Sequence, residues 1–221
     1  MSRWRPTSDP NALIASLRRQ PLLLVLRPES PLRASPLLAS LQELGFVHVE
    51  LAWRSDPRWV SECRQLMDQF PQLRLGAASL CSAAALEGAA AAGLSYGVSP
   101  ILDAAMVRLA AQLQFTLVPG VFSPTEVDRA RRWGCPIVKL FPAASLGPGY
   151  WRRLREPLGA PMPFCIAAGG LQIDDVLAWL AAGVDAVALG SSLMTPSAPF
   201  TGGLNPDQIV RLRTLIAALG P

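Results

Sequence analysis

Of the 20 basic residues in this chain, 19 are arginine and one, Lys139, is lysine. Lys139 lies in Cys135-Pro-Ile-Val-Lys-Leu-Phe-Pro142, an otherwise apolar run whose period of two puts Ile137, Lys139 and Phe141 on one face. Burying an ammonium is costly, and desolvation favours the neutral amine. A neutral amine is the nucleophile that attacks a ketone to form a Schiff base. The alternative is a lysine at a strand end that keeps its charge in water. Glu50 is the second unusual residue, in Phe46-Val-His-Val-Glu-Leu-Ala-Trp53. There alternation places His48, Glu50 and Ala52 on one face and Val47, Val49 and Leu51 on the other. A buried carboxyl with a raised pKa can move protons at the carbon beside a carbonyl. Its alternative role is a structural ion pair, for instance with Arg54. His48, the one histidine, lies two residues deeper and reads as a satisfied core residue.

Glycines supply a third kind of chemistry. Ala167-Ala-Gly-Gly-Leu171 and Leu189-Gly-Ser-Ser192 each follow a short apolar run, and glycine lets backbone N–H groups approach an anion. Gly76-Ala-Ala-Ser79 adds a hydroxyl that either binds a carboxylate or caps a helix.

Eight short runs are positioned to carry these groups: Leu22 to Leu26, Val47 to Leu51, Leu73 to Ala77, Leu94 to Val98, Phe115 to Val118, Pro136 to Phe141, Phe164 to Ala168 and Ala186 to Leu189. Helical stretches alternate with them. Ser123-Pro-Thr-Glu126 and Asn205-Pro-Asp-Gln208 are helix starts, and Gly45, Gly93, Gly134 and Gly183 mark stops. Eight βα units in 221 residues without a linker predict a single-domain (β/α)₈ TIM barrel. The structural alternative is an open doubly wound sheet, disfavoured because no G-x-G-x-x-G follows the first run. In a barrel, function gathers at the C-terminal ends of the strands, and the loops after strands seven and eight commonly bind phosphate. Residues 1–20 form an N-terminal extension whose helical Asn11 to Arg19 stretch is expected to cap the barrel bottom.

Composition narrows the function classes. With 51% apolar residues the chain has ample core, and disorder is excluded. No apolar run reaches the roughly 18 to 20 residues of a membrane span. The net charge of +4 comes from dispersed arginines, without the basic stripe and stacking aromatics of a nucleic-acid binder. Cys63, Cys81, Cys135 and Cys165 show neither zinc spacing nor a disulfide framework. The N-terminus lacks the pattern of a secretory signal. Together these lead us to expect a cytoplasmic protein that binds a small molecule.

From about Pro21 to about Leu193 the chain resembles the class I aldolases of 2-keto-3-deoxy-6-phosphogluconate (KDPG), with their relatives for 4-hydroxy-2-oxoglutarate (KHG) and for the phosphogalactonate epimer (KDPGal). The resemblance rests on eight blocks in order: Val49-Glu-Leu-Ala-Trp-Arg54, Gly76-Ala-Ala-Ser79, Ser99-Pro100, Val118-Pro-Gly120 with Ser123-Pro-Thr-Glu126, Val138-Lys-Leu-Phe-Pro142, Gly147-Pro148, Gly169-Gly170 and Gly190-Ser191. It implies a (β/α)₈ fold, usually a homotrimer, with no metal or cofactor. Carried over, Lys139 matches the Schiff-base lysine, Glu50 the general acid/base and Arg54 the arginine that holds the pyruvate carboxylate. Ser79 stands where threonine is frequent, Phe141 packs on the pyruvate moiety, and Arg27 faces the substrate. Gly169, Gly170, Gly190 and Ser191 cradle the phosphate.

The implied reaction splits a phosphorylated keto acid into pyruvate and glyceraldehyde 3-phosphate, and oxaloacetate decarboxylation is a conceivable side reaction of the same iminium. Two positions depart from the pattern: Ala78 replaces a glycine, and Ala168 replaces a threonine frequent in KDPG enzymes. Phosphogalactonate enzymes tend to be apolar at the second position. The gluconate epimer is nonetheless expected, as the commoner intermediate. Competing readings are a phosphosugar isomerase or synthase barrel without Schiff-base chemistry and a non-catalytic barrel that only binds phosphorylated acids.

Overall fold

Strands buried on both faces read as near-continuous apolar runs, and β1 (Leu22–Leu26), β8 (Phe164–Ala168) and β9 (Ala186–Leu189) are buried along their whole length. The computed structural model describes residues 8–190 and 203–220. The other strands are β2 (His48–Ala52), β3 (Arg74–Ala78), β4 (Gly97–Val98), β5 (Leu117–Val118), β6 (Gly120–Val121) and β7 (Ile137–Leu140). All pairings are parallel, in the order β5-β4-β3-β2-β1-β9-β8-β7-β6.

The two ends of that order, β5 and β6, are consecutive in the chain and separated only by Pro119. Proline has no N–H to give to a ladder and so interrupts what is otherwise one strand. The Pro119 carbonyl still accepts from the Lys139 N–H at 2.8 Å. The nine segments therefore make a ring of eight strand positions, a TIM-type barrel, and the open doubly wound alternative is excluded. At Gly120 a Cβ would stand 2.3 Å from the Pro100 carbonyl, so only glycine lets the chain cross the end of β4 at this seam.

Helices α1 (Pro10–Arg19), α2 (Ser35–Glu43), α3 (Trp59–Gln69), α4 (Ala83–Ala92), α5 (Ala104–Gln112), α6 (Pro124–Arg132), α7 (Tyr150–Leu158), α8 (Val176–Ala181) and α9 (Pro206–Leu219) complete the alternation. The expected capping boxes form at Ser123 with Glu126 and at Asn205 with Gln208. Among the described residues no helix is long and apolar enough to cross a membrane.

Alternation along the strands creates two cores. Val49, Leu51, Val138 and Leu140 pack outward with the helices, while Leu23, Val25, Tyr96, Ile137 and Ile166 fill the lumen. Helix α1 begins at an Asp9 cap with proline at its first turn, and it adds Leu13 and Leu17 to the lumen cluster. Its Ser16 hydroxyl lies 2.8 Å from His48 Nε2, while His48 Nδ1 lies 3.3 Å from the Leu22 carbonyl. A carbonyl only accepts, so Nδ1 carries the proton and Nε2 accepts from Ser16. Burial holds the ring neutral, with its pKa pushed down to about 3.

Ser16→Ala is expected to cost about 1 to 3 kcal/mol in a denaturant titration, because it strands a buried acceptor. The wild-type bond also carries a pH signature. A base with a depressed pKa contributes stability above its ordinary value of 6.5 and loses it as pH falls toward about 3.

Two strands are shorter than the sequence suggests. Leu94 to Val98 contracts to Gly97–Val98, and Phe115 to Val118 becomes Leu117–Val118 with Gly120–Val121 beyond the proline. The cause lies far away in sequence: the Ser8 hydroxyl donates to the Ser95 carbonyl at 3.0 Å and accepts from the Thr116 N–H at 2.6 Å. It sits between the two strand starts and takes the place of a ladder bond.

Candidate active site

Lys139 projects from β7 between Gly120 on β6 and Ile166 on β8, and it is only 6% exposed. Its Nζ stands over the Phe141 ring, 4.7 Å from the centroid. Burial lowers its pKa most. The Glu50 carboxylate opposes that shift, and Arg27 reinforces it. Glu50 projects from β2 between Val25 on β1 and Gly76 on β3, and it is 1% exposed. Burial raises its pKa to about 7 against the pull of Lys139 and Arg27.

None of the ion pairs among the described residues includes Glu50 or Lys139, and one carboxylate oxygen, Oε2, has no hydrogen-bond partner. The two groups thus influence each other across a gap. One amine is biased toward its neutral form, and one carboxyl titrates near neutral pH, both in the same water-poor lumen. Such a pair can attack a carbonyl and then move protons beside it.

The rim supplies the other expected residues. Arg27 follows β1, is exposed, and donates from Nη1 to the Ser79 hydroxyl at 2.9 Å. Ser79 follows β3 in a left-handed conformation, φ 62°. It does not cap α4; Ser82 does, accepting from the Ala85 N–H at 3.2 Å. Phe141 is held against Gly169, where a Cβ would come within 2.8 Å of the ring. Gly169 and Gly170 both have positive φ, 97° and 80°. Gly190 is half-buried just past β9, and Ser191 lies outside the described residues.

Arg54 follows β2, four residues past Glu50, and makes no ion pair with it among the described residues. It is exposed, and its charge acts on Asp56, so the ion pair with Glu50 is replaced by longer-range effects of Lys139 and Arg27. One lumen residue was not singled out in the sequence: Tyr96, just before β4, fully buried with its ring against Gly76 of β3 and with an unpartnered hydroxyl. Its position two residues before Val98 on the inward face was the available signal.

The fold and this site define a class, the barrel lyases of the class I pyruvate aldolase type. The chain belongs to the KDPG and KHG aldolase family, whose sequence model matches residues 13–210. It is 34% identical to a probable 2-dehydro-3-deoxy-6-phosphogalactonate aldolase of Rhizobium meliloti, over 80% of this chain and 83% of that protein. Against the 2-dehydro-3-deoxy-6-phosphogalactonate aldolase of Escherichia coli it is 28% identical, over 78% of this chain and 84% of the other. Among solved structures, a 2-keto-3-deoxy-6-phosphogluconate aldolase from Zymomonas mobilis superposes with a TM-score of 0.77 at 24% identity, covering 93% of this chain and 97% of that one.

Proposed function

We propose that this protein is a Schiff-base aldolase that splits a 2-keto-3-deoxy-6-phospho sugar acid into pyruvate and glyceraldehyde 3-phosphate. The observation that carries this reading is the buried Lys139 and Glu50 facing one lumen without an ion pair between them. Lys139 Nζ attacks the C2 ketone, and loss of water leaves an iminium. Glu50, ionised, takes the C4 hydroxyl proton; the C3–C4 bond breaks, its electron pair passes into the iminium, and the aldehyde leaves. Protonated Glu50 then returns its proton to C3 of the enamine, and water releases pyruvate from Lys139. Phe141 orders the Lys139 side chain and packs on pyruvate. Arg27 with Ser79 receives the substrate at the rim, and Arg54 swings to the carboxylate. Gly169, Gly170, Gly190 and Ser191 hold the phosphate. We further propose that the protein works as a homotrimer, as the family resemblance implies.

For the C4 epimer, one observation favours the galactonate series over the gluconate series expected from sequence. Ala168, buried in the lumen before Gly169, presents a methyl where a hydroxyl would contact substrate. The two relatives compared by sequence above carry phosphogalactonate names, which supports the same choice, while the superposed Zymomonas mobilis structure is a phosphogluconate aldolase. The test is pyruvate release from KDPG, KDPGal and 4-hydroxy-2-oxoglutarate, followed by coupled reduction of the pyruvate. We expect turnover of both phosphorylated epimers, with the higher kcat/KM for KDPGal. No pyruvate from any of the three, in protein that is folded, would leave the non-catalytic phosphosugar barrel.

A further inference from the structure

Two polar atoms in the barrel lumen are buried without a partner, Glu50 Oε2 and the Tyr96 hydroxyl. They are close by construction. Gly76 is the ladder partner of Glu50, and adjacent strands run about 4.8 Å apart. A Cβ on Gly76 would lie 2.5 Å from Tyr96 Cζ, the carbon that bears the hydroxyl, and 2.7 and 2.8 Å from the ring carbons beside it. The absent side chain of Gly76 is thus the space that Tyr96 fills, and the phenol end lies over the strand next to Glu50. Tyr96 is itself fully buried and shares the lumen cluster with Val25, Ala78 and Ile166.

The other candidates for the phenol can be enumerated. His48 is already committed to Ser16 and Leu22. Arg74, two residues before Gly76, acts on Tyr96 from below, and Glu50 acts on it more strongly. From the remaining elements around Glu50, Lys139 on β7 and Arg27 after β1 are the charged groups that act on it.

We propose that Tyr96 is a positioning residue for the acid/base: its phenol O–H donates toward the Glu50 carboxylate across one bridging water and favours the ionised form. A buried water needs two to four polar partners, and these two atoms supply the first two. The physical purpose is balance. Desolvation drives Glu50 toward the protonated state, in which it cannot accept the C4 proton, while hydrogen bonds to the carboxylate push the other way. Gly76 and Tyr96 together are therefore a matched pair, one small so that the other can reach.

This inference rests on the aldolase reading, and the test separates the two. Pyruvate alone, in deuterated water, exchanges its methyl protons above the uncatalysed background when Lys139 forms the enamine and Glu50 carries protons to and from C3. Wild-type exchange with borohydride trapping upholds the aldolase reading, and their absence overturns it before Tyr96 is considered. In Tyr96→Phe, which removes one oxygen and keeps the ring over Gly76, we expect trapping on Lys139 to persist. The ionisation limb of the exchange profile should move up by about one pH unit, with an about tenfold lower rate on that limb. The thermal midpoint should fall by no more than the loss of one water-mediated hydrogen bond brings, because the ring stays over Gly76. A profile that superposes on wild type overturns the proposal, as does a rate loss uniform across pH. Tyr96→Leu, which also loses the ring, should reproduce the shift; if it alone moves the limb, the ring and not the hydroxyl is responsible and the proposal fails.

Discussion

Lys139→Ala is expected to leave no borohydride-stable pyruvate adduct and to lower kcat/KM by about 10⁴- to 10⁶-fold, the scale seen when a covalent nucleophile is deleted. Intact mass and peptide mapping read the first result, and coupled pyruvate release reads the second. Lys139→Arg should fall equally far. A guanidinium keeps the positive charge beside Glu50 but does not deprotonate and cannot form an imine. An active Lys139→Arg would mean that the charge alone matters and would sink covalent catalysis. Stability should move the opposite way from activity. A base with a lowered pKa contributes stability above its ordinary value and loses it as pH falls through the folded value, so at neutral pH the buried amine is a liability. Lys139→Met, which fills the same space without a charge, is therefore expected to melt at or above the wild-type temperature at pH 7.

Glu50→Gln separates binding from proton transfer. The amide occupies the same volume and cannot accept the C4 proton, so cleavage should drop by about 10²- to 10⁴-fold. Lys139 should still trap pyruvate. The pH profile supplies a second signature: the wild-type rate rises as Glu50 ionises near pH 7, and the variant loses that limb. The sign for stability is that of a raised acid. Its favourable contribution is complete below the ordinary value of 4.5 and is lost as pH climbs through about 7. Between pH 4 and pH 8 the variant should gain on wild type by about 3 to 4 kcal/mol, from two to three units at about 1.4 kcal/mol each. An urea titration at pH 4 and at pH 8 measures the difference, and equal gaps at both would mean that Glu50 does not titrate abnormally.

How much of this could be read from the chain follows from where the forces are local. The runs Leu22 to Leu26, Phe164 to Ala168 and Ala186 to Leu189 match their strands residue for residue, since burial on both faces writes itself into unbroken apolar sequence. Period-two alternation was enough to put Glu50 and Lys139 on inward faces. It failed where a distant residue intervened. Nothing near Leu94 or Phe115 announces that Ser8 enters between their strands, or that Pro119 divides another. The same holds within the site. A rare lysine in an apolar run is visible locally. The partner of Arg27 is Ser79, 52 residues away, and nothing beside either residue announces the pairing. Tyr96 escaped notice because a tyrosine in a strand is ordinary; only the missing side chain of Gly76 and the unpaired hydroxyl give it meaning.

The proline-split strand has a mechanical consequence. The hoop is thin at its fastening, where β5 and β6 hold two residues each, and Lys139 hangs from the proline between them by its own amide. Regions with few ladder bonds breathe more cheaply than the fold unfolds. A hoop that unclasps here would let water reach the Lys139 amine and favour its protonated, unreactive form. Catalysis is therefore expected to fail on heating at this clasp before the barrel comes apart, with activity lost below the thermal unfolding midpoint.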